Sequence, residues 1–252
     1  MSGPHLTVLT GASRGLGLAL AQQLLAQGHR VLAIARRRTD LAVPPGADLQ
    51  CWTADLADAC GVAERLETWL ASQAQQAGAA PASATLINNA GVVSQLAPLS
   101  ALQSTDLAHA LRVGLEAPML LSAAFLRATA SWAVPRKVLM VSSGLGRRAM
   151  AGSASYCAAK AGMDHLARAL ALEEAAKPHG ALVVSLAPGV IDTDMQVQLR
   201  GADETLFPER ARFVGLKEGG LLSSPADAAA AVLAYLDRAD FGTNPVADVR
   251  DA

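Results

Sequence analysis

Thr10-Gly11-Ala12-Ser13-Arg14-Gly15-Leu16-Gly17 decides the fold of this chain. The stretch ends a short apolar run at residues 6–10 and opens residues 16–27, where apolar side chains return at helical spacing until Gly28 stops them. That is strand, glycine turn, helix. Glycine permits a tight turn and a close backbone approach, so a diphosphate could reach the free N–H groups and the positive dipole end of the helix. Glycine turns precede many helices, and it is the placement between strand and helix that gives this one its weight.

The unit recurs outward from there. Residues 31–35 read as a strand, 49–53 as a weaker one and 62–75 as an amphipathic helix. A small-residue loop at 78–84 precedes a strand at 85–88. A long helical region is expected over about 105–132, then a strand at 138–142, a helix over about 155–177 and a strand at 182–186. Short apolar strands separated by helices, without hairpin signals, predict an α/β fold with a doubly wound parallel sheet covered on both faces. No break in composition divides residues 1–252, so one domain is expected. Residues 192–224 are long, mixed in polarity and punctuated by Gly201, Pro208, Gly215 and Gly219-Gly220. They are expected to form an irregular substrate-binding loop on the carboxyl edge of the sheet, with a mobile surface insertion as the alternative.

Composition limits the function classes. The 252 residues are 52% hydrophobic and carry 21 Lys plus Arg against 22 Asp plus Glu. A near-neutral balance lacks the basic footprint of a nucleic-acid binder or a polybasic membrane-surface protein. No run reaches the roughly 18 apolar residues of a membrane span. The start, residues 1–5, lacks the basic and apolar regions of a secretory signal. Cys51, Cys60 and Cys157 are odd in number and without zinc-like spacing, which reads as reduced thiols in a cytoplasmic protein.

The strand after the first helix is where a ribose selector belongs. It ends Ala35-Arg36-Arg37-Arg38, with no carboxylate to accept from a 2′-hydroxyl. Arg36, with Arg14 nearby in the glycine turn, offers planar cations suited to a 2′-phosphate, so NADP(H) is expected over NAD. One or two of these arginines are expected to be bystanders.

Tyr156 and Lys160 are four residues apart in a helical pattern and therefore share a face. A nearby ammonium favours the phenolate and is expected to lower the phenol from its usual value near 10. The pair can then act as general acid at a carbonyl oxygen during hydride delivery, or as base in the reverse oxidation. Ser143, at the end of the preceding strand, can donate to the same oxygen. The chain has two tyrosines and four lysines in all, which makes this coincidence less casual than it would be elsewhere.

Taken together, the glycine stretch, Asp55-Leu56, Asn88-Asn89-Ala90-Gly91, Ser142-Ser143, Tyr156-Cys157-Ala158-Ala159-Lys160 and Pro188-Gly189-Val190-Ile191-Asp192-Thr193 resemble the classical short-chain dehydrogenase/reductase family in order and spacing. The resemblance covers nearly the whole chain and implies a single Rossmann domain. It implies that Gly11, Ser13, Arg14, Gly15, Leu16 and Gly17 hold the diphosphate and that Arg36 reads the 2′-phosphate. It further implies that Asp55 and Leu56 flank the adenine, that Asn89, Ala90 and Gly91 back the cofactor, and that Tyr156 and Lys160 reach the nicotinamide ribose. Pro188, Gly189, Val190, Ile191 and Thr193 would hold the carboxamide. Such families pair alanine-rich helix faces between subunits, so a homodimer or homotetramer is expected.

One position departs from the pattern. Val113-Gly114-Leu115-Glu116-Ala117-Pro118 carries glycine where the family's relay asparagine usually stands. Gly114 is expected to leave room for a second water, to weaken rather than abolish catalysis, and to yield a faster enzyme on replacement by Asn.

Residues 187–196 and the ending Asp248-Val249-Arg250-Asp251 resemble the sepiapterin reductase branch, whose bacterial relatives include reductases of bulky diketones. Asp248 is the position matching that branch's pterin anchor, with a solvated acidic tail as the alternative. Ser143, Met195 and Asp248 are thus the candidate substrate contacts. His5, His29, His109, His165 and His179 lack metal-ligand spacing, and no metal is expected. Cys157 and the three tryptophans read as packing residues, and Glu173-Glu174 as a solvated helix face. The expected function is NADPH-dependent reduction of a small-molecule ketone, diketone or pterin side chain. The alternatives are a 3-oxoacyl thioester reductase or other alcohol dehydrogenase of the family, and a non-catalytic NADP-binding sensor.

Overall fold

The computed structural model describes residues 4–75 and 81–251. Residues 1–3 and the 78–80 part of the expected small-residue loop lie outside them. Seven strands form one parallel sheet: β1 (His5–Thr10), β2 (Arg30–Ala35), β3 (Asp48–Thr53), β4 (Ser83–Asn88), β5 (Arg136–Val141), β6 (Leu182–Ala187) and β7 (Val246–Asp248). Their order across the sheet is β3-β2-β1-β4-β5-β6-β7. From β1 the chain winds one way through β2 and β3, then returns beside β1 with β4 and winds the other way. The carboxyl ends of β1 and β4 therefore flank the switch point, where open α/β sheets bind ligands.

Both faces of the sheet are buried, which is why the strands read as continuous apolar runs. Helices α2 (Ala59–Gln75), α4 (Ala117–Ala128) and α5 (Ala154–Ala175) cover one face, where Leu66, Leu70, Leu121, Phe125 and Met163 pack against Val8, Leu86 and Val138. Helices α1 (Gly15–Ala26) and α8 (Pro225–Leu236) cover the other through Leu20, Leu24, Val232 and Leu233. Trp52 and Trp132 are buried in the first of these layers, and Trp69 packs against it.

The fold refines one expectation and corrects three. The helical region expected over 105–132 forms over 104–128 with a wider turn inside it: α3 (Ser104–Leu111) runs through a π-helical turn at Arg112–Glu116 into α4, which ends at Ala128. Pro118 has no N–H to give the carbonyl of residue 114 in an α-helical register, and Gly114 is a weak helix former. The turn widens instead, with Ala117 N–H donating back to Arg112 O. The segment expected to be an irregular loop, 192–224, holds two helices, α6 (Asp194–Arg200) and α7 (Arg210–Glu218). Their Leu199 and Phe213 are buried with Phe207, Leu96 and Met150, so the segment has a small core of its own rather than the character of a mobile insertion.

Glu174 is not solvated. It is 1% exposed, accepts from Ala181 N–H at 2.9 Å, is bonded by Lys177 and faces the buried Arg136 at 3.7 Å, because the chain turns back across the end of α5 at residue 180. The acidic tail is also not frayed, since residues 246–248 pair with β6 as β7.

Candidate active site

The glycine turn between β1 and α1 is built for close approach. Gly11 has φ +69°, and a Cβ there would stand 2.9 Å from the Ala90 backbone; a Cβ on Gly17 would stand 2.1 Å from Gly11 O. Asn89 braces the turn rather than facing the cleft with its amide, which donates to Thr10 O at 3.0 Å and Gly11 O at 3.3 Å. Arg14 at the N-cap of α1 has no side-chain cap bond, so the first-turn N–H groups are left for a ligand. Free N–H groups, a helix dipole and an absence of side-chain bulk together fit a diphosphate.

These elements open onto a cleft of about 1340 Å³ along the switch point. Single small-molecule pockets run to about 1,000 Å³, so the volume suits a dinucleotide with a second small molecule. Ser13, Gly15, Leu16, Arg36, Asp55, Leu56, Ala90, Gly91, and the run from Pro188 to Thr193 all line it, together with Ser143, Tyr156, Lys160, Met195 and Asp248. The structure thus brings the expected cofactor and site residues to one cavity. Asp55 also caps the turn that follows it, accepting from Ala57 N–H at 3.0 Å. Arg36 is exposed just beyond β2, beside Arg37. Arg14 pairs instead with Asp194 of α6 at 2.7 Å, tying the glycine turn to the far wall of the cleft.

Ser143 stands in extended conformation at the end of β5, where its hydroxyl accepts from Leu145 N–H at 3.2 Å. Tyr156 lies in the first turn of α5, and Lys160 one turn later is 4% exposed and donates to Val141 O at 2.6 Å. The Lys160 Nζ is 5.6 Å from the centre of the Tyr156 ring. The expected lowering of the phenol is overturned. Part of the ring faces the cleft, yet lost hydration pushes the phenol up to about 12, with the adjacent Ser143 hydroxyl acting the other way. Burial pushes the Lys160 ammonium down to about 8, against the attraction of Asp164. A protonated phenol next to a serine hydroxyl and a buried amine can donate a proton to an oxygen placed between Ser143 and Tyr156.

Gly114 is crowded on one side only, since no other atom of the described residues outside its own turn lies within 4 Å of where a Cβ would stand. It is buried in the π-helical turn, and a Cβ there would meet the Ala159 Cβ at 3.0 Å, so glycine lets α5 press close to the turn at the residue before Lys160. Gly114→Asn is therefore expected to slow turnover several-fold and lower Tm by a few degrees, in line with the roughly 1–3 kcal/mol of overpacked cores. Steady-state kinetics and a melting curve check this, and a faster enzyme would refute it.

Asp248 reaches the cleft from β7, 4% exposed, but its carboxylate is taken: Arg250 donates to it from its backbone N–H at 3.0 Å, Nε at 2.7 Å and Nη2 at 2.5 Å. The Arg250 guanidinium holds this carboxyl below the usual range. Sequence reasoning missed Met150, Phe213 and Leu216, apolar residues that line the cleft alongside Arg147, Arg148 and Arg212. Phe213 and Leu216 sit on α7, and only its folding back brings them there. It also missed Asp164, which the four-residue step from Lys160 could have flagged.

A family model described as short chain dehydrogenase matches residues 5–204. The chain is 34% identical over 238 residues to an (S)-benzoin-forming benzil reductase of Bacillus cereus, covering 93% of this chain and 94% of that protein. It is 29% identical to an NADPH-dependent pterin aldehyde reductase of Arabidopsis thaliana, covering 79% and 80%. Among solved structures it is similar to a Beutenbergia cavernae protein assigned provisionally as an NAD(P)-dependent gluconate 5-dehydrogenase, with NADP at low occupancy, at TM-score 0.79 and 28% identity over 99% and 96% of the two chains. With this cleft, this sheet order and these matches, the chain belongs to the short-chain dehydrogenase/reductase family, whose members are oxidoreductases acting on C=O and CH–OH groups.

Proposed function

We propose that the protein is an NADPH-dependent carbonyl reductase whose preferred substrates are apolar ketones and 1,2-diketones. The observation that carries this is the meeting of Ser143, Tyr156 and Lys160 in a cleft that the apolar side chains of Met150, Phe213 and Leu216 also line. When bound, NADPH supplies the hydride. Ser143 donates a hydrogen bond to the substrate oxygen and Tyr156 delivers its proton there as negative charge develops. Lys160 holds a positive charge behind the phenol, and Met195 borders the substrate. Support for the diketone class comes from the benzil reductase relatives and from Asp248, whose pairing with Arg250 leaves little of its carboxylate for an aminopyrimidinone edge. Support for NADPH comes from Arg36 beyond β2 and from the NADPH-dependent relative.

Following NADPH oxidation with benzil, a pterin ketone and a 3-oxoacyl thioester, with NADH in parallel, tests the reading. Turnover of benzil with NADPH is expected to exceed the other combinations. NADPH binding with no oxidation by any of the three would favour the sensor instead. The three cysteines are free thiols, which suits the reducing cytoplasm. Self-association is part of the same reading, because Leu111, Met119 and Leu172 are exposed on α3, α4 and α5. Light scattering at micromolar concentration is expected to give a dimer or tetramer, and a monomer would refute this.

A further inference from the structure

Behind the site lies a buried carboxylate that the reaction as described does not use. Asp164, one turn beyond Lys160 on α5, is 2% exposed. Its Oδ1 accepts from Ser142 Oγ at 2.5 Å and from Ser185 Oγ on β6 at 2.7 Å. Its Oδ2 accepts from Arg147 Nε at 3.3 Å, and Arg147 also donates to Ala247 O of β7 at 3.1 Å. Asp164 thus joins the residue before Ser143, the turn after it, the helix carrying Tyr156 and Lys160, and β6, and through Arg147 it reaches β7. The turn is seated tightly on that helix: a Cβ on Gly146 would stand 2.6 Å from Asp164 Oδ2 and 3.0 Å from Lys160 O. Three donors converging on a carboxylate buried this deeply are more than an ordinary helix residue needs, and two of them, Ser142 and Arg147, bracket Ser143 in sequence.

We infer that Asp164 is a positioning residue for carbonyl reduction: it clamps the Ser143 turn onto α5, so that the serine and tyrosine hydroxyls converge on one oxygen. The inference rests on the reading of Ser143, Tyr156 and Lys160 given above. The surroundings of Lys160 are otherwise sparse in charge. On α5 it has Tyr156 and Asp164; from the turn after β5 comes Arg147, which pairs with Asp164. Asp248 of β7 is already bound to Arg250, with Arg147 also acting on it. Arg112 and Glu116 of the π-helical turn are exposed, β6 presents Ser185, and β5 presents the Val141 carbonyl. Burial works against the ammonium, and Asp164 is the group that opposes it.

Two variants test the clamp, one with and one without loss of the buried charge, in the protein with NADPH and the carbonyl it reduces fastest. Asp164→Asn keeps the shape and loses the charge. It is expected to lower kcat by about 10- to 100-fold, the scale of a small misplacement of reacting groups, with KM for NADPH within about twofold of wild type. Lys160 then loses its proton more easily, so the alkaline limb of the kcat profile moves to lower pH by about one unit. Ser142→Ala keeps the carboxylate and removes one strut; it is expected to lower kcat about 5-fold with the alkaline limb unmoved. A lowered Tm with kcat and pH profile both at wild-type values in Asp164→Asn would overturn the proposal. If that variant does not fold, unchanged kcat in Ser142→Ala overturns it and a lowered kcat at unchanged KM upholds the clamp. A wild-type enzyme that reduces none of the carbonyls would sink the underlying reading instead.

Discussion

Tyr156→Phe is expected to lower kcat for NADPH-dependent carbonyl reduction by about 10³-fold or more, the upper part of the range for a positioned general acid. Phenylalanine keeps the ring that packs below the Lys160 ammonium, 5.6 Å from its centre, and loses only the hydroxyl. The fold and the cofactor surface should therefore survive, with Tm within a few degrees and NADPH affinity within about twofold of wild type. Ser143 would still donate to the substrate oxygen, but the proton would have to come from water. Because burial holds the wild-type phenol near 12, it stays protonated across the working range, and the alkaline fall in reduction follows Lys160, near 8. The sign is that of a cation: activity that depends on the ammonium is complete at pH well below 8 and declines as pH rises through it. Single-turnover kinetics would read the loss directly. Retention of half the wild-type rate would show that Tyr156 is not the proton donor.

The second large effect belongs to cofactor choice. Arg36→Ala is expected to raise KM for NADPH about 10- to 100-fold while leaving KM for NADH within about twofold, because hydrogen bonds to a charged partner contribute about 1.5–3 kcal/mol. Arg36 is exposed beyond β2 with no acid in the adjoining Arg37-Arg38 to compete for it. Arg14→Ala should cost much less, since its guanidinium already serves Asp194 on α6, an exposed pair of the kind that contributes little. Equal losses with NADPH and NADH in Arg36→Ala would mean that the 2′-phosphate is read elsewhere, with Arg37 the next residue to test. The same comparison separates the cofactor reading from the Tyr156 reading, because the first changes KM and the second kcat.

How much of this was legible before folding depends on the range over which each feature is set. Residues 10–17 announce their geometry locally: a β1 strand must end, a turn must take φ +69° at Gly11, and a helix must begin at Gly15. Tyr156 and Lys160 share a face for the same reason, the pitch of one helix. Those short-range rules carried the parallel sheet, the glycine turn that opens onto the cleft and three polar residues that line it. They did not carry solvation. The phenol was expected to fall and instead rises, because the cost of burying its charged form outweighs its neighbours and depends on every element around it. Nor did they carry contacts between residues distant in the chain. Asp164 meets Ser142 and Ser185 only when α5 lies on β5 and β6, α7 supplies Phe213 and Leu216 only by folding back over the cleft, and Gly114 is crowded only because Ala159 packs against it. The amino-acid sequence alone determined the fold and which short segments meet at the cleft, since periodicity and backbone sterics act over a few residues. The tertiary structure alone decided how deeply the phenol and the ammonium are buried, which distant apolar residues line the cleft and how close the π-helical turn lies to α5, since desolvation and packing are properties of what surrounds a residue.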